Sequence, residues 1–251
     1  MQLSIVGSLP EQTSNWIEEY FGHWKKPDIP LENEPDFDIN LGQVKGKVVD
    51  TQGPWPASLL FWNTVGHDHP DAAAIQLLQE HLFEDKASLF SAANQYDPDF
   101  MLYFPLAQAL ASHGVAGLAL SPRARTSLDV LIAEVHKLTK SVKSNGISEQ
   151  RLCYLKQVYL NERLEKLTDN LSLAKMLSAT SKQDFQHPIT APWERINAVS
   201  VDDIKRVANK YFRAEHQIRL DLLPPWYIRW TKQLLEWLPK DTADSLEEEA
   251  L

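Results

Sequence analysis

Hydrophobic positions along the chain recur with two different periods, and the changes of period mark out its elements. Leu3, Ile5 and Val6 read as a β-strand from the outset. Pro10 then opens a helix in which Trp16, Ile17, Tyr20 and Phe21 fall on one apolar stripe. Residues 25–40 hold three prolines and a run of acids, a composition that suits neither helix nor sheet and predicts an extended linker. Beyond it, Lys47–Asp50 and Ala57–Val65 predict strands separated by Gly53-Pro54-Trp55-Pro56; the second is apolar on both faces, as a central strand is. Asp71 opens a helix with Ile75, Leu78 and Leu82 on one face. Residues 100–109 and 115–121 predict two strands joined by Ala111-Ser112-His113-Gly114, a hairpin signal. Helices follow over Leu128–Leu138, from Ser148 to about Leu167 and from Leu171 to Ala179. The best-marked helix starts at Ser200-Val201-Asp202-Asp203 in the manner of a capping box and carries Ile204, Val207, Ala208, Tyr211 and Phe212 on one stripe. Gln217–Leu222 then alternates as a half-buried strand does.

A repeat runs through this order. Gln2–Pro10 matches Gln217–Pro225 without a gap: Gln2 falls on Gln217, Leu3 on Ile218, Ile5 on Leu220 and Pro10 on Pro225. A Trp-bearing amphipathic helix follows each copy, Asn15–Trp24 and Trp226–Leu238. The repeat suggests that one strand–helix unit closes two consecutive domains. The alternative is two unrelated edge strands that meet Pro-started helices by coincidence.

Composition narrows the picture. The chain has 251 residues, 43% hydrophobic and 24% charged, which fits a globular chain with a core and excludes collagen, a long coiled coil and wholesale disorder. No apolar run approaches the roughly 20 residues a bilayer span needs. A net charge of −9 argues against a nucleic-acid partner. A single cysteine, Cys153, excludes an internal disulfide framework and a multi-cysteine zinc site, and reads as a small apolar filler on a helix. Met1–Gly7 has neither a charged leader nor a cleavable apolar stretch, so it is not read as a signal peptide. A chain that opens in mid-strand reads as the back part of a longer protein. Its compartment is then left open between periplasm and cytoplasm.

Four blocks in order carry a resemblance. Leu3-Ser4-Ile5-Val6-Gly7 with Glu19-Tyr20-Phe21-Gly22-His23-Trp24 is the first. His69-Pro70-Asp71-Ala72-Ala73-Ala74 is the second, and Gly146-Ile147-Ser148-Glu149-Gln150-Arg151-Leu152 the third. The fourth is Ile196–Ile204 with Val207-Ala208-Asn209-Lys210-Tyr211-Phe212. Together they resemble the pitrilysin/insulinase family of zinc metallopeptidases, which includes the mitochondrial processing peptidase. The resemblance implies an α+β domain, a mostly antiparallel sheet with helices packed on one face, preceded by a strand–helix remnant of a like domain. It divides the chain into residues 1–24 as the end of a first domain, 25–45 as linker, 46–240 as a complete second domain and 241–251 as an acidic tail. Residues 1–24 alone cannot bury both their apolar faces, so they are expected to dock or stay sticky. In this family the zinc-binding His-x-x-Glu-His belongs to the first domain, so the resemblance places the metal helix upstream of Met1.

Within the chain, His81-Leu82-Phe83-Glu84-Asp85 has His-x-x-Glu but Asp where the second His belongs, and reads as a solvent-exposed helix end. His67-Asp68-His69 is a His-x-His pair that lacks a third ligand and reads as a polar start to a helix. No Gly-x-Ser-x-Gly or Gly-rich phosphate loop occurs. The family's second domain often offers a substrate-binding Arg and Tyr seven residues apart. Here Asn94 stands where the Arg would be, Met101 lies seven residues on, and the nearest tyrosine is Tyr103. Asn94 and Tyr103 are therefore the candidates for a substrate-facing wall, against a loop role for Asn94 and strand packing for Tyr103. Trp226, Trp230, Leu234 and Trp237 stripe the last helix; the acidic residues after it disfavour an anionic membrane, so packing on its own sheet is expected.

The expected function is that of a non-catalytic C-terminal portion of a zinc metalloendopeptidase. It would line the peptide chamber and support a homologous zinc-bearing domain or subunit, with no cofactor of its own. The alternative is a degenerate inactive homologue that acts as a scaffold.

Overall fold

Strand β2 (Ala57–Val65) is the spine of the molecule, and its alternating burial shows why. Leu60 and Trp62 are buried on the side from which helices approach, while Leu59 and Phe61 point to the other face and are half-buried. A computed structural model describes residues 3–25, 44–49, 55–84, 88–93, 100–110, 112–123, 126–178, 186–229 and 237–249. Around β2 it places β1 (Val44–Val49), β3 (Phe100–Ala109), β4 (His113–Pro122) and β5 (Gln217–Leu223) in the order β1-β5-β2-β4-β3. Only the β1–β5 pair is parallel. β2 runs antiparallel to both β5 and β4, and β3 antiparallel to β4. At Gly117 of β4 the neighbouring backbone comes so close that a Cβ would stand 2.1 Å from the Leu60 carbonyl oxygen, so only glycine fits.

Helices α2 (Ala72–Gln79), α4 (Leu128–Asn145) and α8 (Val201–Tyr211) pack on one face of this sheet. α2 places Ile75, Leu77 and Leu78 in the core; α4 adds Leu131, Ile132 and Val135, and α8 adds Ile204, Val207 and Ala208. α5 (Glu149–Thr168), α6 (Asn170–Ser178) and α7 (Thr190–Ala198) form an outer layer, and α3 (Leu89–Ala93) bridges toward β3. The mostly antiparallel sheet with helices on one face is the architecture expected from the sequence. Among the described residues no helix is long and apolar enough to cross a membrane.

The capping signal at Ser200 is realised in full. Its hydroxyl accepts from the Asp203 N–H, and the Asp203 carboxylate accepts from the Ser200 N–H at 3.0 Å. Ser200→Ala is expected to lower stability by about 1 kcal/mol, read as a shift of the urea midpoint at unchanged slope. An unshifted midpoint would mean that the start of α8 does not belong to the cooperative unit.

Several expectations are corrected. Leu3–Val6 forms no strand, because a strand exists only through its ladder and the five-stranded sheet leaves this segment unpaired. α1 (Thr13–Phe21) forms as expected but buries none of its residues, and Trp16 and Tyr20 are exposed. The helix expected over Trp226–Leu238 starts at Trp226, yet Trp226 and Tyr227 do not pack on the sheet; both are exposed and meet edge to face at 6.0 Å. Trp230 and Leu234 lie outside the described residues, and Trp237 is exposed. Lys240–Glu249, most of the acidic end, forms α9, with Ala243 buried. Cys153 is exposed on α5 and is not a core filler.

Candidate functional site

The start of α2 holds two of the polar groups that the sequence flags. His67 and His69 sit on the turn after β2, and their rings are engaged separately. The His67 Nδ1 meets the Asp68 carboxylate at 2.8 Å, whereas the His69 Nδ1 accepts the Asp71 N–H at 2.9 Å. Asp71 occupies the N-cap position of α2 but gives its carboxylate to α8 across the interface. Tyr211 Oη donates to it at 2.6 Å, Arg206 Nη1 at 2.6 Å and Lys210 Nζ at 3.1 Å. Burial alone would raise the Asp71 pKa. The three donors outweigh it and hold the carboxyl at about 2. This cluster ties the two core helices together.

His81 is not the exposed helix end that its sequence suggests. α2 continues into a π-helical turn over Glu80–Glu84, and the extra residue turns His81, Leu82 and Phe83 inward together. There the His81 Nδ1 receives a hydrogen bond from Arg151 Nε of α5 at 3.2 Å. Asp85, the other half of the degenerate motif, lies outside the described residues, as does Asn94. Tyr103 is half-buried on β3; its ring lies against Phe90 and Phe100, and its hydroxyl meets the Ser91 hydroxyl of α3 at 2.8 Å. The structure therefore does not bring His67, His69, His81 and Tyr103 to one place. Among the described residues no group of three or more His, Cys, Asp or Glu could hold a metal ion. The described histidines do not fit a zinc centre, since His67, His69 and His81 have no converging set of three ligands around them.

What the residues do form is a cavity of about 370 Å³ between α2, the outer helices and the far ends of β3 and β4. Small side chains create it: Ala72 and Ala73 on α2 face Ala107 and Ala109 on β3 and Ala116 on β4. Gln79, Glu84, Tyr159 and Arg195 bring polar groups to its lining. Burial pushes the Glu84 carboxyl above its ordinary value, against hydrogen bonds from Gln79 and Glu80. Sequence reasoning missed this cavity and the Asp71 cluster. A visible signal for the first was Gln79, a polar residue on the helix face that carries Ile75, Leu78 and Leu82.

Fold and site together define an α+β domain whose candidate site is a cavity under an edge strand and not a metal-bearing helix. The family model of the peptidase M16 inactive domain matches residues 1–159, and the chain belongs to that family. No curated protein matches it in sequence. In fold it is similar to a protease from Helicobacter pylori, at TM-score 0.77 and 18% identity over 86% of this chain and 54% of that one. It is also similar to the M16 inactive domain from Pseudomonas fluorescens, at TM-score 0.58 and 15% identity over 72% of this chain and 44% of the other. The periplasmic protease PqqL from Escherichia coli gives TM-score 0.60 and 17% identity over 87% of this chain and 24% of that one. The chain thus spans about half of the Helicobacter protein's length.

Proposed function

We propose that the chain is the non-catalytic second-domain portion of an M16-type zinc metalloendopeptidase. Residues 1–24 would be the closing strand and helix of the preceding like domain, residues 25–45 the linker, 46–240 the second domain and 241–251 an acidic end. The observation that carries the reading is the inactive-domain match over residues 1–159, which begins ahead of the linker and takes in α1. The unpaired Leu3–Val6 and the unburied stripe of α1 support it, since both are the surfaces a preceding sheet would cover.

The chain's contribution is then steric and directional. It would form one wall of a chamber in which a peptide is held against a homologous zinc-bearing domain, and hydrolysis would belong to that domain. Asn94 and Tyr103 would face the substrate. The anchored hydroxyl of Tyr103 gives it a fixed position rather than a mobile one.

The test is peptide cleavage by a homologous zinc-bearing half, measured with and without this chain. The rate is expected to rise when the chain is added, and the chain alone is expected to cleave nothing. Chelator-sensitive cleavage by the chain alone, after separation from any partner, overturns the reading. An unchanged rate in a demonstrable complex replaces it with the scaffold alternative.

A further inference from the structure

The cleft between α5 and α6 collects positive charge in a chain that is negative as a whole. The net charge of the protein is −9. The ionisable side chains that line this cavity of about 410 Å³ are nevertheless Arg163, Lys166 and Lys175, against the single carboxylate of Glu162 and the phenol of Tyr159. It adjoins the cavity beside α2, with which it shares Gln76 and Tyr159.

The fold does not cancel this charge. Arg163 donates from Nε to the Ile189 carbonyl at 3.0 Å and from Nη2 to the Pro188 carbonyl. Both acceptors are neutral, so they hold the guanidinium in place without discharging it, and they leave Nη1 as a further donor. Among the described residues neither Lys166 nor Lys175 forms an ion pair. Lys175 interacts electrostatically with Asp169, but that carboxylate already accepts the Ser172 N–H at 2.7 Å at the start of α6 and offsets only part of the charge. Arg163 and Lys166 are three residues apart on one face of α5, and Lys175 reaches the same cavity from α6. Both lysines are exposed, so their flexible stems can bring the ammonium groups onto a ligand, while Arg163 supplies a fixed point.

Three cations on two helices favour an anion with two charges and with oxygens in several directions. A phosphate monoester has both near neutral pH, whereas a carboxylate carries one charge and two oxygens in one plane. The cavity lies within the range of ligand pockets, roughly 300–1,000 Å³, so it has room for more than the phosphate. Tyr159 and Met176, both half-buried in its lining, offer an apolar surface to an organic group.

We propose that this cleft is a binding site for a phosphate monoester, with the phosphate held by Arg163, Lys166 and Lys175 and the organic part against Tyr159 and Met176. The site stands apart from the proposed chamber role, because binding is read on this chain alone with no peptidase present. The phosphate can belong to a free small molecule or to a phosphorylated side chain of a peptide.

The test is an NMR titration of the full, isotope-labelled chain in phosphate-free buffer with phenyl phosphate, inorganic phosphate, benzoate and a short phosphotyrosine peptide. Phenyl phosphate is expected to bind about tenfold more tightly than benzoate, through its second charge. It is also expected to bind more tightly than inorganic phosphate. Peptide binding at least as tight as that of phenyl phosphate assigns the phosphate to a side chain; weaker or no peptide binding assigns it to a free small molecule. Arg163 also holds two backbone carbonyls, so the variants are made at the exposed lysines. Lys166→Gln with Lys175→Gln is expected to weaken phenyl phosphate binding about tenfold and to leave the circular dichroism spectrum unchanged. Lys140→Gln, on the exposed side of α4, removes the same charge elsewhere and is expected to leave binding unchanged. Four results overturn the proposal: no binding of phenyl phosphate, equal binding of benzoate or of inorganic phosphate, undiminished binding by the double variant, or an equal loss with Lys140→Gln. None of these results bears on whether the chain supports a zinc-bearing partner.

Discussion

Trp62→Ala is expected to lower stability by about 3–5 kcal/mol. Trp62 is 1% exposed in the middle of the spine strand, and its ring stacks at a tilt on Phe212 with centroids 5.0 Å apart. Its indole N–H donates to the Arg213 carbonyl at 3.0 Å, just after α8 ends. One side chain thus joins β2 to the end of the best-capped helix. Truncation removes the largest fully buried side chain and leaves the Arg213 carbonyl without its donor. A loss of that size is a large share of the total, about 5–15 kcal/mol, that a typical domain has. Trp62→Phe keeps much of the volume and is expected to lose less than half as much. Chemical denaturation with both variants checks the ranking, and a near-native midpoint for Trp62→Ala would show that this contact is not part of the folding core.

The second large effect is acid lability through Asp71. Its pKa is lowered from 3.8 to about 2, so the carboxylate is more favourable in the folded chain than in the unfolded one. A depressed carboxyl stabilises fully above its unfolded pKa and loses that contribution as pH falls through the folded value. The depression corresponds to about 2 kcal/mol, present above about pH 4 and lost toward about pH 2. Asp71→Asn is expected to remove most of it at neutral pH and to flatten the pH dependence across that window. Arg206 and Lys210 are half-exposed, so salt should weaken their share, whereas the bond from Tyr211 is buried and should persist. Urea titrations at a series of pH values would show it. Parallel curves for the native and Asn proteins would remove Asp71 as the origin of the acid sensitivity.

How much of this was legible in the sequence depended on the range of the interaction that fixes each feature. β2, β5, α4, α5 and α8 follow from local periodicity and, in α8, from a cap made within four residues of chain. α7 was not foreseen, because Pro192 and Trp193 interrupt its pattern and it buries only Ile196. The π turn was equally hidden: a single extra residue changes which side of the helix His81 faces, and no composition marks it. Leu3–Val6 alternates like β5, its repeat partner, yet β5 is a strand because β1 and β2 flank it. Alternation reports a tendency, and the ladder needs neighbours. The Asp71 cluster joins residues 135 to 140 positions apart, a distance at which a single sequence carries no pairing signal. For the same reason the histidines could be judged one by one but not placed relative to each other.

Pro105 has a consequence for how the protein behaves when concentrated. It sits within β3, which is the outermost strand on its side among the described residues, beside the exposed Leu102, Phe104 and Leu106. An apolar outer strand of ten residues is a template on which another chain can grow. Proline has no N–H, so one rung is missing for any incoming strand, and tolerance of proline at such a position is a recognised guard against ribbon-like polymerisation. Replacing it with valine would restore the rung and raise the local preference for extended chain. The cost would fall on colloidal lifetime and not on the melting temperature.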